Sequence, residues 1–418
     1  MPLTKLERLV KEFGKSVFWD WTALTANPNI SMKFIRDNPH LHWDIRRGLA
    51  NNPNLDEITV IRNIETIYPY ELSKWSGLTC FLIDLIFMMR RNITPWLDFD
   101  IISRHIHVNE IEKKIDSYLW QWKQVSCNNS LTIDFVKKYP DKDWDWILLS
   151  RHRNITMTDI IDNPDLPWVH TYFSANPNLT FDAMKHFSKN IWSKYLLSSN
   201  PSLTIEMIKY VNSISDWKSV SWNMLAVSSH RNFTMKDIED NPDIGWYYPC
   251  ICANPNFTVE FFKKNMQQII NNIYELCGCG YSIHNIVEFI EEFPDYKWLW
   301  TNISSSKYIT SAFIDRNSDK KWNYSNLSRN SHISQKYLEK NILCHDSDGM
   351  KWDIKKVSEN CNFTFDFVKK YKDKLSFRGL SFNRFNYEHK REVAEAIFVS
   401  NNLNIPEDIK KYIVRNFI

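Results

Sequence analysis

Glycine is scarce in this chain, with eight copies in 418 residues, and that scarcity excludes much. Flexible linkers and a phosphate-cradling glycine loop both need more of it than is present. A long apolar run is also missing. The longest, "LTCFLIDLIFMM" at residues 78 to 89, is interrupted by Asp84 and is too short to span a bilayer. An excess of one charge sign is absent as well: 52 basic and 49 acidic side chains leave a net charge of +3, which demands neither a nucleic acid nor a membrane surface as partner. The eight cysteines have no secreted-domain framework around them, so free thiols in a reducing compartment are expected. The opening "MPLTKLERLVKEFGKS" alternates charged and apolar residues and reads as neither signal peptide nor anchor. These absences predict a soluble, intracellular protein with a cytoplasmic setting.

What is abundant is aromatic bulk, with 18 Trp, 25 Phe and 18 Tyr, and it is periodic. Trp96, Trp120, Trp144, Trp168 and Trp192 fall at steps of 24. A Thr follows the same step at Thr132, Thr156, Thr180 and Thr204, then at Thr234 and Thr258 with Ser282, then at Thr310 with Ser334, and Thr364 closes the series. Insertions of four or six residues between those runs interrupt the period. Earlier copies start at Ser31 and Asp56, and residues 57 to 107 keep the length while blurring the letters. About fifteen units account for the chain.

Each unit has a physical reading. The Thr is a helix N-cap, with an acidic residue two positions on (Asp134, Asp182, Glu206, Glu260, Asp366), where the helix dipole favours negative charge. Apolar residues at +1, +3, +4 and +7, such as Ile133, Phe135, Val136 and Tyr139, make one buried face. Pro140, Pro164, Pro242 and Pro294 stop the helix, and a Trp follows four residues later in each case. A shorter second helix then runs to an Asn-Pro-Asn turn. Six residues before each cap stands a small residue, from Thr25 and Ala50 through Ser126, Ser150 and Ser174 to Cys252 and Ser358. This column predicts a tight packing seam.

The expected fold is therefore all-α: a right-handed α-solenoid of short helix-turn-helix repeats of 24 residues, forming one domain over residues 1 to 418. Within it, residues 1 to 30 form an N-terminal cap and first half-repeat, 31 to 107 degenerate repeats, 108 to 375 regular repeats, and 376 to 418 an irregular C-terminal cap. The phrase "FIRDNPHLHWDIRRGLANNPNLD" (34 to 56) resembles the leucine-rich repeat variant family. That resemblance implies alternating α and 3₁₀ segments stacked in a right-handed superhelix. "YPDKDWDWILLSRHRNIT" (139 to 156) is similar to tandem repeats of amoeba-infecting giant viruses of the mimivirus group. That likeness brings no activity with it, and it implies a setting in an infected host's cytoplasm or viral factory, or in the virion.

Four chemistries compete with architecture. Asn154, Asn178, Asn232, Asn256 and Asn362 satisfy the glycosylation pattern, yet each is the turn Asn two residues before a capping Thr. Cys250, Cys252, Cys277 and Cys279 form two Cys-x-Cys pairs, the sharpest metal candidate, although the usual zinc spacing is wider and Cys252 belongs to the small-residue column. Ser150 with His152, and Ser229 with His230, suggest nucleophile and base, but a packing column lacks the uniqueness of an active site. Arg36, Lys137, Lys185, Lys209, Lys263 and Lys369 each lie five residues after a cap and would form a basic stripe able to track a phosphate backbone. Their bland role is to complement helix C-termini in water. The reading that follows is a non-enzymatic scaffold for protein partners, without cofactor or metal; an RNA- or DNA-binding solenoid is the alternative.

Overall fold

A computed structural model describes residues 3–89, 97–187, 191–214, 221–270, 286–343, 352–360 and 363–385. Trp96, Ser282, Asn362, Cys277, Cys279 and the sequence from 386 to 418 lie outside the described residues. The described chain is helical and contains no strand, and none of its helices is long and apolar enough to cross a membrane. It divides into two compact units, one made of Met1–Gly77, Met88–Thr94 and Ile309–Ile418, the other of Leu78–Phe87 and Pro95–Tyr308.

The helices are short, mostly four to seven residues, as in Ile133–Lys138 and Trp146–Ser150. Isolated helices below about 12 residues are marginal in water, so each must be held at its ends and by its neighbours. The N-terminal end is held as the sequence predicts. The hydroxyls of Thr132, Thr156, Thr180, Thr234, Thr310 and Thr364 accept the N3 amide of their helices, a cap worth about 1 kcal/mol. The backbone amides of Thr156 and Thr234 add the reciprocal bond, donating to an aspartate carboxylate at N3. The second helix has its own cap, Asp145 ahead of Trp146–Ser150 or Ser193 ahead of Lys194–Leu197.

The C-terminal end of the first helix explains why Asn-Pro and Trp recur together. Asn163, Asn241 and Asn317 turn their side-chain amides back onto the carbonyl four residues earlier. Five residues on, the indole N–H of Trp168, Trp246 and Trp322 donates to the backbone carbonyl of that same Asn at 2.8 Å. Carbonyls with no partner inside the helix are thus answered, and the ring fills the core while its N–H does the capping. Phenylalanine would supply only the first.

Adjacent repeats are joined by two polar columns. Ser126, Ser150 and Ser174, all buried, accept the backbone amide nineteen residues ahead: Asp145, Val169 and Ser193, each at 2.9 Å. Ser126 and Ser150 also donate back to the carbonyl four residues earlier. The seam expected from side-chain size is therefore a stitch made by the hydroxyl, with smallness a second requirement. Two residues beyond the serine, Asn128 donates to the Ser103 and Ile106 carbonyls, Asn176 to those of Ser150 and Ile155, and Asn200 to those of Ser174 and Asn176. The oxygen of each amide accepts the amide two residues on. A buried asparagine so placed satisfies three backbone groups that neither helix can.

Candidate functional site

The basic line is largely paired with acids. Arg36 bonds Asp56 at 2.8 Å and the Thr59 hydroxyl, Lys185 meets Asp182 at 2.9 Å and lies over the Phe181 ring, Lys263 pairs with Glu292, and Lys369 with Glu12 at 2.8 Å. The neighbouring Lys138, Lys264 and Lys370 bond Glu112, Glu239 and Glu339, carboxylates carried by the preceding repeats. Those bonds hold the Glu112 and Glu339 carboxyls below the usual carboxylate range. At Asp56, burial works in the opposite sense and is outweighed by the bonds from Thr59 and Arg36, so its carboxyl also stays low. Lys137 and Lys209 are exposed and carry no ion pair among the described residues. A row of alternating, neutralised pairs offers a phosphate chain much less than six free cations would.

The serine and histidine pairs are spent on architecture. The Ser150 hydroxyl donates to the Trp146 carbonyl and accepts from Val169. His152 stands where asparagine stands in the neighbouring repeats. Its Nδ1 accepts the Asn154 amide at 3.1 Å, so Nε2 carries the proton that reaches the Asn128 carbonyl at 3.1 Å. His230 repeats the arrangement with Asn232 and Asn200. Burial pushes both imidazoles below their ordinary value, and neither ring has a nitrogen left for a nucleophile. The Nδ2 atoms of Asn154, Asn178, Asn232 and Asn256, to which a glycan would attach, each donate to carbonyls of the preceding repeat.

Cys252 occupies the serine column, and its thiol donates to the Pro249 carbonyl at 2.9 Å. Cys250 lies beside it in helix Tyr248–Ile251, and among the described residues no group of histidine, cysteine and carboxylate side chains is arranged to hold a metal ion. Cys277 and Cys279 lie outside those residues, so the four-thiolate arrangement has no described geometry.

One polar cluster escapes the sequence pattern because it sits where the letters blur. Cys80 opens helix Cys80–Met89, its amide bonding a Glu110 carboxylate oxygen at 3.0 Å and its thiol the Glu110 carbonyl at 3.1 Å. Asp84, one turn on, is bound by the Tyr118 hydroxyl and by Lys114. Burial, reinforced by Glu110 and Asp84, pushes the Cys80 thiol up to about 11. At neutral pH it is a thiol, not a thiolate nucleophile. The cluster clamps one helix onto another.

Two surface features remain. A groove of about 620 Å³ lies between consecutive repeats, lined by Met157, Ile161, Ala183 and His186 with the capping Thr156 and Thr180; both hydroxyls already serve their own helices. The second is a row of apolar residues at one register. Ile147, Tyr195 and Leu225 are each the second residue of a second helix, three positions after Trp144, Trp192 and Trp222, and are 39%, 63% and 55% exposed. The chain matches no protein-family model, no characterised protein and no solved structure.

Proposed function

We propose that this chain is a non-enzymatic scaffold whose repeats stack within each compact unit as an α-solenoid and present a surface to protein partners. The observation that carries the reading is the exposed row of Ile147, Tyr195 and Leu225. Single exposed apolar residues are ordinary, but three at one register, with Thr171 between the first two, set apolar side chains of the kind that anchor other proteins along one side of the repeats. The internal bonding supports the same reading: the serine and asparagine columns satisfy the backbone, which leaves the outward side chains free to vary without cost to the fold. No catalytic role is needed for Ser150, His152 or Cys80, since each has a structural partner. The likeness of the repeat phrase to giant-virus proteins makes the cytoplasm of an infected host the setting proposed.

Affinity purification of the tagged chain from its native cells, with and without nuclease, tests this against the nucleic-acid alternative that Lys137 and Lys209 keep in view. A protein partner that survives nuclease and is lost on combined Ile147→Ser, Tyr195→Ser and Leu225→Ser supports the scaffold. Capture that vanishes with nuclease, or on reversing Lys137 and Lys209 to glutamate, overturns it.

A further inference from the structure

The N-terminal repeat packs against residues far along the chain as internal repeats pack against their predecessors. Where the Trp21–Thr25 helix meets the repeat that follows it, the Asp44 amide donates to the Thr25 hydroxyl at 2.9 Å. Asn52 Nδ2 bonds the Thr25 and Asn27 carbonyls at 2.8 and 3.1 Å, and Asn54 Nδ2 bonds that of Pro28 at 2.7 Å. Trp43 meets the ring of Trp21 edge-on at 5.3 Å.

Every one of these contacts recurs between the N-terminal repeat and residues 377 to 385, in the same compact unit. The Asp20 amide donates to the Ser381 hydroxyl at 3.0 Å. Asn27 Nδ2 bonds the Ser381 and Asn383 carbonyls at 2.9 and 3.0 Å, and Asn29 Nδ2 that of Arg384 at 2.7 Å. Trp19 meets Phe377 edge-on at 4.9 Å. The ion pairs follow suit, Lys369 with Glu12 and Arg378 with Asp20.

We infer that Phe377–Phe385 forms a repeat-acceptor face, and that the partner it fits is this chain's own N-terminal repeat: bound in cis here, and supplied by a second copy when the cis contact is opened. The match is of residue type and hydrogen-bond donor to the same backbone acceptors, so the face recognises an Asn-x-Asn turn with a preceding Trp as any internal repeat does. Residues 377 to 385 and the N-terminal repeat cover each other. Because the junction is not enforced by a short covalent connection, it can open without unfolding its neighbours, and its open form displays two complementary surfaces. Exchange of such elements between identical chains is a known low-cost route to dimers.

Two full-length variants spoil opposite halves. Asn27→Asp with Asn29→Asp keeps the turn but aims carboxylates at the Ser381, Asn383 and Arg384 carbonyls, and Phe377→Asp spoils the acceptor while leaving the N-terminal repeat intact. Each alone should remain monomeric in light scattering, with amide exchange at Trp21–Thr25 and Phe377–Leu380 accelerated together by about 100-fold or more. Mixed, they should form a one-to-one dimer through the one intact pair of faces and regain protection at Phe377–Leu380 of the asparagine variant. A mixture that stays monomeric while both variants are folded overturns the second-copy partner. A wild-type measurement guards against misfolded variants: Trp21–Thr25 and Phe377–Leu380 should exchange as one cooperative group, and independent rates for the two overturn the junction itself.

Discussion

Residues 120 to 211 and residues 78 to 118 use similar short helices and are held together by different means. In the first region the junctions repeat one solution, a serine hydroxyl and an asparagine amide reaching across to backbone groups, with His152 once in the asparagine's place. In the second, one serine stitch remains, Ser103 to the Gln121 amide, His105 stands two residues on where asparagine would, and other bonds carry more of the joint: Tyr118 and Lys114 on Asp84, with Cys80 donating its amide to the Glu110 carboxylate and its thiol to the Glu110 carbonyl. The difference teaches that the repeated letters are there to answer main-chain groups. A side-chain clamp tolerates change because its partners are mutable, whereas a backbone carbonyl admits only donors of one reach.

The largest break in that comparison comes from the asparagine column. Asn200→Ala leaves the Ser174 carbonyl and the Ser202 amide unanswered and takes one of two donors from the Asn176 carbonyl; unanswered buried groups cost about 1–3 kcal/mol each, so native-state hydrogen exchange should report local destabilisation of about 2–4 kcal/mol. Ser174→Ala, which strands the Ser193 amide alone, should cost about 1–2 kcal/mol by the same readout. Trp144→Phe leaves the Tyr139 carbonyl without its 2.8 Å indole donor and should cost about 1 kcal/mol. On the other side of the comparison, Tyr118→Phe removes a partly exposed clamp and should cost less than about 1 kcal/mol.

Histidine in the asparagine column sharpens the contrast through pH. Burial holds the His152 and His230 imidazoles below the ordinary value of 6.5, so the folded chain binds fewer protons than the unfolded one in that range. Their contribution is complete above about pH 6.5 and is lost as pH falls through the lower folded-state values. His152→Asn with His230→Asn, which restores the letter of neighbouring repeats, should flatten the decline in denaturation midpoint between pH 6.5 and 5. An unchanged slope would show that other groups cause it.

Much of the local structure was legible in the letters because its causes are local. Thr caps, Pro stops and the Trp register depend on residues within one repeat, and Thr132, Pro140 and Trp144 sit where spacing places them. The polar columns were half legible: Ser126, Ser150 and Ser174 announce a small residue, but only the preference for serine over alanine hints that the hydroxyl reaches the next repeat. Pairing of Lys138 with Glu112 and of Lys264 with Glu239 was not legible, since it requires knowing which positions face each other across a junction. The meeting of Asn27 with Ser381 lies farther still from any local signal. Its one trace is that Asn27, Pro28 and Asn29 carry the same letters as the internal turns that bond a preceding repeat.

The central claim, that buried amides and not apolar packing alone join the repeats, has a test of sign. Asn176 is wholly buried, and Asn176→Leu replaces it with a more apolar side chain of similar size. If burial of apolar surface governed the junction, the variant would be the more stable protein. Chemical denaturation should instead show a loss of about 2–3 kcal/mol, from the stranded Ser150 carbonyl and Asn178 amide and from the loss of one of two donors to the Ile155 carbonyl; equal or greater stability would contradict the account.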